Sequence, residues 1–472
     1  MIIDMKPRPA DFAKSPQFAL LLRILALLLT NGALVWLGSS LLVDAPTIFG
    51  QIFGLLLIIA TILVLFYVCR QFRIDWCYFT ILISLLLGLS GINLIYRIVE
   101  NHRLDATSVS LQDDLTANFG SEVKISDFLI NLQGELIEDS TLPTTELGPR
   151  QVSFEYVNQK GRRRTSSFTI EIVDRTAPQI YGSSSYTVYR GYDGDLTNLM
   201  LSGDNLDDHP HREILGEYDL STIGSYPLTY RITDASGNQT TQDFTLHVVD
   251  PSINTNLPIL DTPRLPLSDV IAQHKTARTK IGIDVSAWQG NIDWPRAKAA
   301  GVEFAFIRLG YQVDYGGEYV LDRYFEANLT RATAVGIPAG VYFYSYADSI
   351  SEAAAQAHWV VDQLAGRQVE LGIAFDWEDW TNFNQTGMSF YTLNQVANHY
   401  LDTVTAAGYQ GSLYGSRNYL TRIWQPEKYP VWLAQYYDFV TYDRAYWIWQ
   451  MSASGQVPGI NGNVDLDIMY LD

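Results

Sequence analysis

The sequence predicts a multidomain chain with three transmembrane helices, two small all-β sandwiches and a C-terminal α/β irregular (β/α) barrel. Three observations carry this reading. The first hundred residues hold three long uncharged runs, the middle contains a repeat of fixed period, and the last 190 residues alternate short β-rich and helical stretches.

The chain has 472 residues, a net charge of -19 and 18% charged residues, where about 25% is usual. Residues 1–103 carry eight Lys/Arg against five Asp/Glu, and the remainder 24 against 46. So acidic a remainder argues against nucleic acid as a partner, because phosphate contacts need stripes of Lys and Arg. The two cysteines, Cys69 and Cys77, both lie in the front segment. The rest therefore has no disulfide framework, no Cys nucleophile and no Cys-ligated zinc.

The uncharged runs are Ile24–Val43, Ala45–Cys69 and Trp76–Tyr96. Each reaches the roughly 20 residues a helix needs to cross a bilayer. Residues 1–103 are therefore expected to be a membrane anchor, with the lipid bilayer as a partner. Lys6, Arg8, Lys14 and Arg23 precede the first run, and Arg70 and Arg73 separate the second from the third. The positive-inside rule puts both groups in the cytoplasm and everything after about residue 103 outside.

Gly148/Gly224, Gly161/Gly237, Phe168/Phe244 and Asp174/Asp250 are each 76 residues apart, which marks a duplicated unit. Val152, Phe154 and Tyr156 alternate with polar residues, as do Leu228, Tyr230 and Ile232. That period of two means strands. Asp174-Arg-Thr-Ala-Pro-Gln-Ile and Thr233-Asp-Ala-Ser-Gly-Asn resemble the bacterial Ig-like repeats of surface proteins. The expected units are 104–175 and 176–251, acting as spacers, with a proline-bearing linker over 252–279. Lys160 and Arg162 to Arg164 read as a solvated hairpin turn. Asp204, Asp207, Asp208, His209 and His211 match no metal-ligand spacing and read as a polar loop.

From residue 280 to 472, candidate strands are Ile281–Val285, Phe304–Leu309, Ala339–Tyr344, Leu371–Phe375, Ser412–Tyr414, Val431–Ala434, Tyr446–Gln450 and Val464–Met469. Helical stretches Trp294–Ala300, Asp322–Val335, Ser351–Leu364 and Tyr391–Ala407 fill the first gaps. This alternation argues a parallel barrel with a degenerate last third, and such barrels do chemistry at the C-terminal ends of their strands. Acids sit there: Asp284 ends the first strand, Asp376 and Glu378 the fourth, and Asp465 opens the last. Asp376 and Glu378 are two apart, so on an extended strand they share a face, about 6.6 Å apart at the backbone. His358 and His399 fall within helical stretches. No HExxH, GxSxG or glycine-rich phosphate loop occurs. Paired carboxylates remain, and paired carboxylates cut glycosidic bonds. Nine of the eleven tryptophans lie between Trp288 and Trp449, in keeping with stacking on sugar rings.

Asp284-Val-Ser-Ala-Trp-Gln-Gly, Gly340-Val-Tyr-Phe-Tyr-Ser-Tyr, Phe375-Asp-Trp-Glu and Gly459-Ile-Asn-Gly-Asn-Val-Asp465-Leu resemble, in order, the motifs of glycoside hydrolase family 25, the Chalaropsis-type lysozymes or N-acetylmuramidases. The resemblance implies an irregular barrel and a peptidoglycan glycan strand as substrate, with no cofactor or metal. It assigns Glu378 as proton donor beside Asp376, Asp284 and Asp465. It places Tyr344, Tyr346, Trp432, Gln435, Gln450 and Tyr311 along the sugar groove. Asp467 departs from the family, which often has Asn there, and is expected to leave the chemistry unchanged. A non-catalytic wall-binding protein and a chitinase-like glycosidase remain as alternatives, and the group assisting Glu378 stays open.

Overall fold

The computed structural model describes residues 109–252 and 264–471 apart from 427, together with 23, 29–38, 41, 48–71, 84–85, 88 and 91–100. Much of the first and third expected spans therefore lies outside the described residues. The middle of the front segment is the helix Ile48–Gln71, whose side chains are described without a break only over 52–67. Among the described residues no helix is long and apolar enough to cross a membrane. The three expected spans and the multi-pass topology built on them are therefore contradicted, and the bilayer as a partner is left without support.

The chain divides at residue 173 into two compact units. In the first, a four-stranded sheet runs in the order Thr116–Asn118, Arg163–Val173, Gly148–Asn158, Gly134–Leu136. Along Gly148–Asn158 the residues Val152, Phe154 and Tyr156 are buried and Gln151, Ser153 and Glu155 exposed, as period two requires. They close a core with Phe128, Phe168 and Ile170.

The second unit begins with a sheet of the same order: Ser185–Tyr189, Gln239–Val249, Gly224–Thr233, His211–Leu215. In both sheets the first pairing is parallel and the next two antiparallel. The long hairpins 148–173 and 224–249 thus repeat each other with the 76-residue offset.

The same unit contains a closed barrel of eight strands: β1 (Thr279–Val285), β2 (Phe304–Gln312), β3 (Ala339–Tyr344), β4 (Ile373–Asp376), β5 (Gly411–Ser416), β6 (Val431–Ala434), β7 (Ile448–Gln456) and β8 (Val464–Tyr470). Helices α1 (Trp294–Ala300), α2 (Phe325–Ala334), α3 (Ile350–Leu364), α4 (Phe390–Ala406) and α5 (Arg417–Arg422) follow the first five strands. Strands β1 to β7 are parallel. Strand β8 is antiparallel to both β7 and β1 and closes the ring. Its N-terminal end therefore lies at the rim formed by the C-terminal ends of the others. The strands are buried on both faces, as in a helix-covered parallel sheet.

Two local features fix β4. Gly372, just before it, has φ +76°, and a Cβ there would collide with the Gln410 carbonyl, so glycine alone is tolerated. Trp377, just after it, is wholly buried and donates from Nε1 to the Ala347 carbonyl at 3.1 Å. The expected linker is shorter than 252–279. Leu265–Pro266 pairs with β7, and the helix Leu267–His274 buries Leu267 and Val270 in the barrel core.

The second sandwich is not a free spacer. Asn384 donates to the carbonyls of Thr197 (3.2 Å) and Met200 (2.7 Å) and accepts from Ser202 N–H (2.9 Å). Asp208 accepts from Ser389 N–H (2.7 Å) and Thr392 Oγ1 (3.0 Å) at the start of α4. Tyr181 packs edge-on against Phe390. The segment gripped in this way, 383–392, follows directly on the one that carries Asp376 and Glu378.

Candidate active site

The rim of the barrel gathers the acids that were scattered in the sequence. Asp284, Asp376, Glu378 and Asp465 line one cavity of about 440 Å3. Asp284 and Asp465 are direct partners in the β1–β8 ladder. Asp376 ends β4, with Glu378 just beyond it, and the intervening Trp377 turns into the core between Trp380 and Phe383. The alternation expected for Asp376, Trp377 and Glu378 therefore holds. A second cavity of about 750 Å3, walled by Gln435, Tyr437, Phe439 and Arg417, shares Glu378, Tyr414 and Tyr436 with the first. Glu378 thus sits where two hollows of a groove meet.

Burial dominates the electrostatics. Glu378 is raised to about 7, first by burial and then by the charge of Asp465. Asp465 is raised to about 6 by burial. Asp284 is raised well above the usual carboxylate range by burial, then by Asp465 and Asp467. Asp376 is likewise raised by burial and by Glu378, while the Arg308 guanidinium opposes the rise. Removal from water is the larger effect and like-charge crowding the smaller, and burial raises all four carboxyls.

Arg308 is the principal residue that sequence reasoning missed. It lies on β2, lines the first cavity, and is held by Asp322 through Nε (2.9 Å) and Nη2 (2.8 Å). Asp322 also accepts from Ala287 N–H (2.9 Å), so it fixes the turn after β1 as well. The available signal was a single cation in the apolar run Phe304-Ala-Phe-Ile-Arg-Leu-Gly310.

Gln450 is buried and fully employed. Its Nε2 donates to Asp284 Oδ2 (2.7 Å), and its Oε1 accepts from the Tyr414 (2.8 Å) and Tyr436 (2.9 Å) hydroxyls. It ties the acid wall to the aromatic wall. Trp432 also lines the first cavity, and its Nε1 donates to Asp467 Oδ1 at 2.9 Å. Asp467 is wholly buried, and burial raises it to about 8. The raised value favours the protonated form, and the Asp467 carboxyl is hydrogen-bonded to that of Asp284.

The remaining groove candidates separate. Tyr344 lines the first cavity. Gln435 lines the second, but its amide is occupied by Phe439, Thr441 Oγ1 and Thr441 N–H, so it shapes the 436–441 loop. Tyr346 packs between Tyr315 and Tyr344, outside the lining of either cavity. Tyr311 lies under the Arg308 guanidinium at 5.1 Å and is also outside it. Trp288, 86% exposed at the mouth, and Tyr436, Tyr437 and Phe439, all exposed, were not anticipated. They offer flat apolar faces beside the acids, as sugar-ring stacking requires.

Residues 283–460 match the family Glycosyl hydrolases family 25. The Escherichia coli K12 protein YegX is 30% identical over 200 residues, covering 40% of this chain and 68% of its own length. Lysozyme M1 of Streptomyces globisporus is 31% identical over 211 residues, 39% of this chain and 65% of that protein. Among solved structures, the bacterial lysozyme from Streptomyces coelicolor is 25% identical over 41% of this chain and 92% of its own, with a TM-score of 0.33.

Proposed function

Because the chain belongs to glycosyl hydrolase family 25, and is thus a glycoside hydrolase of the lysozyme type, we propose that it cleaves the β-1,4 bond between N-acetylmuramic acid and N-acetylglucosamine in peptidoglycan glycan strands. One observation carries the reading. Glu378, a carboxyl that keeps its proton up to about pH 7, stands at the junction of two hollows, with Asp376 beside it and Asp284 and Asp465 across the first.

A glycan strand lying along the groove presents its glycosidic oxygen to Glu378. Glu378 gives up its proton as the C–O bond breaks, and the leaving sugar departs with a free hydroxyl. Positive charge develops on the other sugar ring. Midway between about pH 6 and about pH 7 the ionised form of Asp465 and the protonated form of Glu378 both predominate. Asp465 thereby stabilises the developing charge, and Asp376 remains under the influence of Arg308. Gln450 and Asp467 keep Asp284 in place from behind. Water then completes the hydrolysis and returns a proton to Glu378.

The test is mass analysis of fragments released from purified cell wall. New reducing ends on muramic acid are expected. Reducing ends on N-acetylglucosamine would identify a different bond, and intact wall that nevertheless retains the protein would identify a binder.

A further inference from the structure

The second sandwich brings together three carboxylates that are distant in sequence. One oxygen from each of Asp174, Asp204 and Asp234 lies within 4.8 Å of the others, and all three residues are buried. A buried cluster of like charges is costly unless something compensates it. Asp204 is wholly buried. Its Oδ2 accepts from Leu206 and Asp207 N–H, both at 2.8 Å, while its Oδ1 has no partner. The Asn205 side chain lies against the same cluster: its Nδ2 donates to Asp174 Oδ1 at 3.2 Å, and its buried Oδ1 also has no partner. Two unsatisfied buried oxygens beside two further carboxylates are what a cation would satisfy. Burial pushes the Asp204 carboxyl up, and the charges of Asp174 and Asp234 add to the rise.

We propose that Asp174, Asp204, Asp234 and the Asn205 side-chain oxygen form a binding site for a hard divalent cation, calcium above all, in the loop region that docks on the barrel. The donors are all oxygens, which excludes the thiolate- and imidazole-seeking metals. They come from irregular loops, which suits calcium's flexible coordination better than the strict octahedron of magnesium.

The site bears on the barrel through one loop. The Asp204 and Asn205 carbonyls accept from Phe390 and Tyr391 N–H, at 2.8 and 3.0 Å. Asp208 caps the same helix. A cation at Asp204 stiffens the loop that holds the start of α4, and so the segment leading back to Glu378.

The test is calorimetric titration of the chelator-treated full chain with calcium chloride, paired with thermal unfolding in calcium and in chelator. One calcium per chain is expected, with Kd on the order of 10⁻⁵–10⁻³ M, and unfolding a few degrees higher in excess calcium. Asp204→Asn gives an opposite sign in the two conditions. It is more stable than the wild type in chelator, because a repelling charge is gone, and less stable in calcium, because a ligand is gone. A wild type that neither binds nor responds to calcium overturns the proposal, and so does an Asp204→Asn chain that binds it equally well. A magnesium response equal to that of calcium overturns the choice of metal. None of these readouts depends on hydrolysis.

Discussion

Asp284 and Asp465 face each other across the seam of the barrel, the first near the end of β1 and the second near the start of the antiparallel β8. Two carboxylates on neighbouring strands, out of water, raise each other's affinity for protons. Asp465 also reaches Glu378, where its charge is the main addition to burial. With Glu378 at about 7 and Asp465 at about 6, hydrolysis is expected to follow a bell centred between them. Rate is lost above about pH 7 as Glu378 ionises, and below about pH 6 as Asp465 takes up a proton. Asp465→Asn removes the charge that holds the Glu378 proton, so the alkaline limb of kcat/KM moves to lower pH. An unmoved limb would separate Asp465 from the acid.

Asp467 ties stability to pH. Its folded value, about 8, lies above the ordinary 3.8 of an unfolded aspartate. Folding therefore favours the protonated form. That contribution is complete below about pH 4 and is lost as pH rises through about 8. Glu378 and Asp465 act in the same direction over a narrower range. Thermal unfolding should occur at a higher temperature at pH 5 than at pH 8. Asp467→Asn, which keeps the shape and cannot ionise, should flatten that slope, as read by calorimetry across the range.

Arg308 compensates two buried acids, Asp322 by direct contact and Asp376 through space. Arg308→Met leaves Asp322 without its partner, and losses of this kind cost about 3–5 kcal/mol. Urea unfolding measures the loss. Lysine at the same position should restore only part of it, because it lacks the planar fork that presents two N–H groups to Asp322.

Asn384 links the sandwich to the barrel with both ends of its amide. Asn384→Ala removes a donor from the buried Met200 carbonyl and the acceptor of the buried Ser202 N–H, at about 1–3 kcal/mol for each such group, while the Thr197 carbonyl keeps the Tyr230 hydroxyl. Hydrogen exchange should quicken in 197–208 and 383–392 together, marking the two segments as one unit.

The β pattern was legible because side-chain periodicity and burial are the same fact seen twice. Val152, Phe154 and Tyr156 alternate in sequence because they alternate between core and water. The continuous apolar runs of β2, β4 and β6 reflect a sheet covered on both faces. Asp376 and Glu378 were legible because a strand end fixes which residues share a face. Arg308 was harder to see, since its value lies in an ion pair with Asp322 that no local spacing announces. Asp174, Asp204 and Asp234 were invisible for the same reason: three loops bring them together, and the sequence shows only separate acids in turns. The linker was drawn too long because Leu267 and Val270 belong to one short amphipathic helix that directly follows Pro263 and Pro266. Uncharged length in the front segment gave an expectation of spans that the described helices do not meet.

The central claim is that Glu378 supplies the proton that breaks the glycosidic bond. The most direct measurement compares wild-type and Glu378→Gln chains in release of reducing ends from purified cell wall, with sedimentation of each chain on the same wall. Glutamine keeps the shape and the burial and has no proton to give. Turnover is expected to fall by roughly 10²–10⁴ or more, with wall binding unchanged. Near-normal release of reducing ends by Glu378→Gln would contradict the account.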